Sequence, residues 1–290
     1  MRADRTHAID VTPALSNHWE SCRGCWAAIM NRITMRSIPI LMYHEVAVAA
    51  RPDFVRFTVT VRQFAWQMRW LARMGFGAIS MDQLVGARQD PSTLPRRPVV
   101  VTFDDGFAEC GRAAPPILVE HGFTATFYLV AGLLGKPSEW LERELGFRLP
   151  LMNVEAIRAL QSAGMHLGSH TVTHPRLAQI SQTRIRDELV CSREILEQAL
   201  ACRIEHLAYP FGSHDETVLK LTRDAGYVTA CTTIEARSCG EDLLALRRIP
   251  VYGTDSRLDF VSRLFTARPA AALVWDGIHT LRSHFRDGRS

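Results

Sequence analysis

Residues 98–106, Pro-Val-Val-Val-Thr-Phe-Asp-Asp-Gly, constrain the fold more than any other stretch of this chain. Four consecutive β-branched residues with no polar alternation read as a strand buried on both faces, the pattern of a parallel sheet. The run ends on Asp104 and Asp105. Neighbours on a strand point to opposite faces, so two acids can serve one site only where the strand is finishing, and Gly106 gives the backbone freedom to turn there. Barrels and open α/β sheets place their chemistry at such carboxyl ends. The plainer alternative is an Asx-turn or helix cap that uses one Asp.

A second signal lies within Met165–Pro175, where His170 and His174 follow another short apolar run. On an extended strand their spacing is roughly 13 Å, too far to share an ion. Coiled into a helical turn they become neighbours about 5–6 Å apart, and Pro175 limits that turn because the residue before a proline is pushed away from helix. Two neutral imidazoles and one carboxylate make a three-ligand metal site with an open position for water. The histidine pair and the aspartate pair are therefore expected to converge.

Helical spacing recurs between the strands. Helices are expected over 61–74, 81–87, 111–121 (entered through Pro115-Pro116), 153–163, 182–200 and 216–225, with strands over 38–46, 76–80, 98–103, 124–130 and 204–209 and before Gly168. In the 182–200 helix Ile185, Leu189, Ile195, Leu196 and Leu200 read as the inward face, and Asp187, Glu188, Glu194 and Glu197 as a solvated one. Residues 132–150 read as irregular, with Trp140, Phe147 and Leu149 either lining a groove or, the preferred reading, sealing the core. Strand, helix, strand repeated this often means a parallel sheet with right-handed crossovers.

Thr102-Phe103-Asp104-Asp105-Gly106, His170-Thr171-Val172-Thr173-His174 and Ala208-Tyr209-Pro210-Phe211-Gly212 together resemble the polysaccharide deacetylase family (the NodB-homology domain, carbohydrate esterase family 4). Ile40–Val46 is similar to the family's first strand and Gly226–Ala230 to a later helix-to-strand passage. The resemblance covers residues 38–265 and implies a single-domain distorted (β/α)7 barrel, leaving 1–37 as an N-terminal extension and 266–290 as a helical tail. It implies one divalent metal, zinc first with cobalt, nickel or manganese as alternatives, held by Asp105, His170 and His174. Asp104 is then the general base, and the Phe211 N–H the oxyanion donor, since Pro210 has no N–H. Tyr209, Pro210, Phe211 and Gly212 are the implied substrate-binding residues.

Two departures from the family pattern stand out. Ala208 occupies the place of an arginine that orients the base in many members, and Arg247 or Arg248 is the expected replacement. The late leucine-x-histidine motif that supplies a general acid is missing; His279 and His284 fall in the tail, which leaves His44, a returning water proton or no acid at all. The implied reaction removes acetyl groups from N-acetylated sugars of a polysaccharide or its biosynthetic precursor. A catalytically silent carbohydrate-binding protein of the same fold and an amidase on a non-sugar amide are the competing readings.

Beyond the acetylated saccharide that the resemblance implies, composition points to no further partner. Among 290 residues the net charge is only +4, lysine occurs at 136 and 220 alone, and no basic cluster stands out, so nucleic acid is not implied. No apolar run approaches the eighteen or so residues of a membrane span. Of the seven cysteines, Cys22 and Cys25 form an isolated pair without zinc-finger partners. Cys110, Cys191, Cys202, Cys231 and Cys239 read as small buried hydrophobes of a reducing compartment. With no signal-peptide core in the first thirty residues, a cytoplasmic location is expected.

Overall fold

The computed structural model describes residues 38–238, 242–270 and 272. Seven parallel strands close into a barrel: β1 (Ile40–Tyr43), β2 (Pro98–Phe103), β3 (Thr126–Leu129), β4 (His166–Ser169), β5 (His206–Ala208), β6 (Thr229–Glu235) and β7 (Leu246–Pro250). Closure runs through β1, which pairs with β2 (Leu41 opposite Val101) on one side and with β7 (Leu41 opposite Ile249) on the other. The expected distorted (β/α)7 barrel is the observed fold. Gly77–Ala78 extends β2 outside the ring, and Glu45–Ala47 pairs in parallel with Thr58–Thr60 as a separate ribbon.

Helices cover the barrel as α1 (Val61–Arg73), α2 (Met81–Gly86), α3 (Ala108–Glu120), α4 (Glu139–Leu145), α5 (Val154–Ser162), α6 (Gln182–Leu200), α7 (Glu216–Asp224) and α8 (Arg257–Thr266). Local chemistry sets their starts. Thr60 with Gln63, Ser80 with Gln83, and Ser256 with Asp259 form capping boxes, and Asn153, Ser181 and Asp215 cap α5, α6 and α7, satisfying amides that have no intrahelical acceptor.

Three expectations are corrected here. Helix α3 begins at Ala108, so Pro115 and Pro116 lie inside it rather than at its entrance; the inward stripe Cys110, Ala114 and Leu118 outweighs the hydrogen bonds the prolines remove. On α6, Ile195 is exposed while Glu188 is buried. Cys110 and Cys231 are buried, but Cys191 is exposed and Cys202 only half-buried. The Cys22–Cys25 pair, Cys239, His279, His284 and the tail beyond 272 lie outside the described residues.

Strand alternation divides the apolar residues into two sets. Val99, Val101 and Phe103 face outward into the layer beneath the helices, together with Leu41 and Phe127. Val100 faces the lumen with Ile40, Tyr128, Ala208, Cys231 and Leu246. Val99, Val100 and Val101 are fully buried, which stabilises the fold by about 1.5–3 kcal/mol each. The central strand is thus buried on both faces, and the luminal face of each strand leads directly to the site.

Candidate active site

Alternation carries Thr102 and then Asp104 on the luminal face of β2, and Leu246 and then Arg248 on that of β7. Arg248 is fully buried and holds Asp104 with two nitrogens, Nη1 to Oδ1 at 2.7 Å and Nη2 to Oδ2 at 2.6 Å. Its Nε donates to the Thr232 carbonyl at 2.9 Å and Nη1 also to Thr102 Oγ1 at 3.2 Å. The Thr232 carbonyl lies where the β6–β7 register slips, between the pairs Leu246–Cys231 and Arg248–Glu235. Arg247, one residue earlier, faces outward and is exposed; of the two arginines it is Arg248 that reaches the acid. Burial pushes the Asp104 carboxyl up, but the charge and hydrogen bonds of Arg248, with His170 and His44 behind them, hold it below its ordinary value.

Asp105 would face away from the lumen if β2 continued. Instead it sits at φ +73 at the tip of a tight turn closed by the Gly106 N–H to the Asp104 carbonyl at 2.9 Å, a strained γ-turn geometry. That turn swings its carboxylate over the barrel mouth. Oδ1 lies 3.4 Å from His170 Nε2 and 3.2 Å from His174 Nε2, and the three ligand-type atoms fall within 4.8 Å of one another. The histidines meet without the expected helical turn: Thr171 at φ +65 and His174 at φ +61 are left-handed, each costing about 1–3 kcal/mol. The turn is held against that cost by the Ala131 and Gly132 amides, which donate to the Thr171 and Val172 carbonyls at 2.9 Å. A Cβ at residue 132 would lie 2.7 Å from the Val172 oxygen, so only glycine fits there.

The cluster fits a cation. His170 Nδ1 lies 2.7 Å from the Ala208 carbonyl, an acceptor that assigns the proton to Nδ1 and leaves the Nε2 lone pair facing the Asp105 oxygen. A lone pair opposite a carboxylate is an arrangement that positive charge resolves, and two imidazoles with one carboxylate are a zinc-type donor set. Burial works against charge on His170, yet Asp105 and Asp104 raise it above the ordinary imidazole value. Burial also opposes ionisation of Asp105, and the two histidines still drive it well below the carboxylate range. His174 shifts the other way, lowered chiefly by burial, and its Nδ1 is buried without a hydrogen-bond partner among the described residues.

Residues 92–230 match the family model described as polysaccharide deacetylase. The chain is 24% identical over 215 residues to YxkH of Bacillus subtilis (strain 168), a protein named for this family, covering 74% of this chain and 71% of that one. It is 25% identical to the Streptococcus pyogenes deacetylase PplD, solved in complex with acetate, with a TM-score of 0.68 over 80% of this chain and 99% of that chain. The chain carries a polysaccharide deacetylase domain. A chitooligosaccharide deacetylase of Bradyrhizobium sp. (strain ANU 289) is 26% identical over 49% of this chain and 58% of its own length.

Around the cluster, the deacetylase builds an aromatic wall. Trp140 is buried and stacks on His174 with centroids 4.4 Å apart, while Phe211 meets the same imidazole edge-on at 4.7 Å. Phe211 is left-handed (φ 56, ψ 12), and the Arg176 guanidinium lies 3.7 Å from its ring centre. Phe147 packs on Phe54 and Leu149 is buried, so the 132–150 segment seals the core as preferred. His44 is half-buried with its ring 5.1 Å from Phe57. Burial lowers its pKa, opposed by the charges of Asp105 and Asp104, which places it within their field.

Three of the four expected substrate-binding positions are corrected. Alternation beyond Ala208 turns Tyr209 outward into the helical layer, where it is fully buried and its hydroxyl donates to the Leu244 carbonyl at 3.0 Å. Pro210 is buried too, and Phe211, 36% exposed, is the most exposed of the four. Gly212 (φ +66) permits a close approach, but to the chain itself: a Cβ there would lie 2.1 Å from Thr233 Oγ1. Sequence reasoning missed the contact of Trp140 with His174, whose only signal was a bulky aromatic in a segment expected to be irregular, where the structure instead forms α4. It also missed Glu188, for which helical periodicity pointed to solvent.

Proposed function

We propose that this deacetylase removes the acetyl group from N-acetylglucosamine units of a saccharide by hydrolysing the amide. The observation that carries this reading is the buried Asp104–Arg248 pair beside the Asp105–His170–His174 cluster, contributed by the alternate barrel strands β7, β2 and β4. Relatives named chitooligosaccharide deacetylase and, in Bacillus cereus, peptidoglycan-N-acetylglucosamine deacetylase support the substrate class. Asp105 and the two Nε2 atoms would hold a divalent ion, zinc by donor set, which supplies a Lewis acid that polarises the acetyl carbonyl and acidifies a water.

The remaining work falls to the chain's own groups. Asp104, kept ionised by Arg248, accepts the proton of the attacking water; each oxygen retains a lone pair beyond the one facing the guanidinium. Arg248 fixes that carboxylate in one orientation, the duty otherwise assigned to an arginine at the position of Ala208. The Phe211 N–H, carried on its left-handed turn, donates to the oxyanion as the C–O bond forms. His44, which lies within the field of Asp105 and Asp104, protonates the amine as the C–N bond breaks. Phe211 and the Trp140-backed imidazole wall leave an apolar place for the acetyl methyl.

Acetate release from N-acetylglucosamine oligomers tests the reading. Zinc-loaded wild-type protein is expected to release acetate and free amine in equal amounts, and Asp104→Asn to bind the metal without turnover. Undiminished activity in Asp104→Asn, or no acetate from any N-acetylated saccharide, would overturn it.

A further inference from the structure

Glu188 sits on α6 among acids that helical periodicity assigns to solvent, yet it is only 5% exposed. Its carboxylate is spent on the turn between His170 and His174. Oε2 accepts from the Val172 N–H at 2.8 Å and the Thr173 N–H at 2.9 Å, and Oε1 accepts from the Thr173 hydroxyl. A carboxylate this buried is costly without donors; with three it becomes a fixed acceptor. The same turn is gripped on its other edge by the Ala131 and Gly132 amides. Glu188 therefore takes the amides and residues 131–132 take the carbonyls.

The two histidines depend on this turn unequally. His170 is oriented by its own hydrogen bonds, its N–H to the Leu129 carbonyl at 2.7 Å and Nδ1 to the Ala208 carbonyl at 2.7 Å. The His174 ring has no such bond at Nδ1 among the described residues. Its backbone N–H donates to Thr171 Oγ1 at 3.1 Å, so the turn fixes where its Cα lies, and Trp140 and Phe211 fix the ring plane. We infer that Glu188 is a positioning residue for the cation site: through the Val172 and Thr173 amides it sets the place of His174 relative to His170 and Asp105. The inference rests on the reading of those three residues as a metal site.

Cobalt(II) titration of the full chain, followed by visible absorption and isothermal titration calorimetry, reads this without turnover. Glu188→Ala is expected to weaken cobalt binding by about ten- to a hundredfold, as losses of such supporting bonds do, and to alter the ligand-field bands. Glu188→Gln should stay within about threefold of wild type, because its amide oxygen still accepts both N–H groups and its NH2 can donate to Thr173 Oγ1. Leu196→Ala, a packing loss on the same helix, should lower thermal stability and leave affinity unchanged. Wild-type affinity and spectrum in Glu188→Ala, or an equal affinity loss in Leu196→Ala, would overturn the inference while leaving the metal site standing. Wild-type protein that takes up no cobalt would sink both. Should Glu188→Ala not fold, Glu188→Asp, one methylene shorter, replaces it: several-fold weaker binding is expected, and unchanged binding overturns the role.

Discussion

Arg248 meets Asp104 through two parallel hydrogen bonds of 2.6 and 2.7 Å, with the guanidinium fully buried in the barrel. A planar fork matched to a carboxylate is a geometry lysine cannot reproduce. The pair fixes both the charge and the direction of the acid at the centre of the proposed chemistry.

Removing the guanidinium leaves Asp104 buried without a countercharge. Arg248→Gln is expected to cost about 3–5 kcal/mol of stability, the range for breaking a buried pair from one side. Arg248→Lys should lose much of the activity because one ammonium cannot hold both oxygens. Arg247→Ala, on the exposed side of the same strand, should change stability by about 1 kcal/mol at most. Urea denaturation of the three variants checks this ordering.

Acid pH probes the same pair. Asp104 has a folded-state pKa below its ordinary value of 3.8, so the unfolded chain binds its proton first as pH falls. Its contribution to stability is complete above the unfolded pKa and is lost as pH drops through the folded value. Unfolding free energy measured between about pH 6 and 2 should fall more steeply for wild type than for Asp104→Asn. Parallel curves would show that Asp104 is not depressed.

Metal removal should separate binding from folding. Asp105→Ala and His170→Ala are expected to lose the metal, and Asp104→Asn to keep it, in elemental analysis of the purified proteins. Chelated wild type should remain folded, because the barrel core is apolar side chains such as Val99, Val101 and Phe103, but should melt at a lower temperature than the loaded form by ordinary binding linkage.

The corrected role of Tyr209 predicts a purely structural phenotype. Tyr209→Phe removes the hydrogen bond to the Leu244 carbonyl, costing about 1 kcal/mol, and should leave KM for the saccharide unchanged. Phe211→Ala, at the exposed ring against His174, should raise KM and lower kcat together. Steady-state kinetics on a chitooligosaccharide distinguishes the two.

The sequence by itself determined whatever depends on local periodicity. The unbroken run Val99–Thr102 marks a strand buried on both faces, the strand–helix alternation specifies a parallel sheet that the family resemblance narrows to a barrel, and the strand-end positions of Asp104, Asp105, His170 and His174 mark the site. Only the tertiary structure decided which arginine serves Asp104, because that depends on which face of β7 points into the lumen towards Asp104, 144 residues away along the chain. It also decided that Asp105 and His174 reach one point through strained left-handed turns rather than a helix, that Tyr209 turns outward, and that Glu188 is buried. In each case a long-range contact overrides what the residue's immediate neighbours prefer, and hydrogen bonds from distant elements offset the local cost.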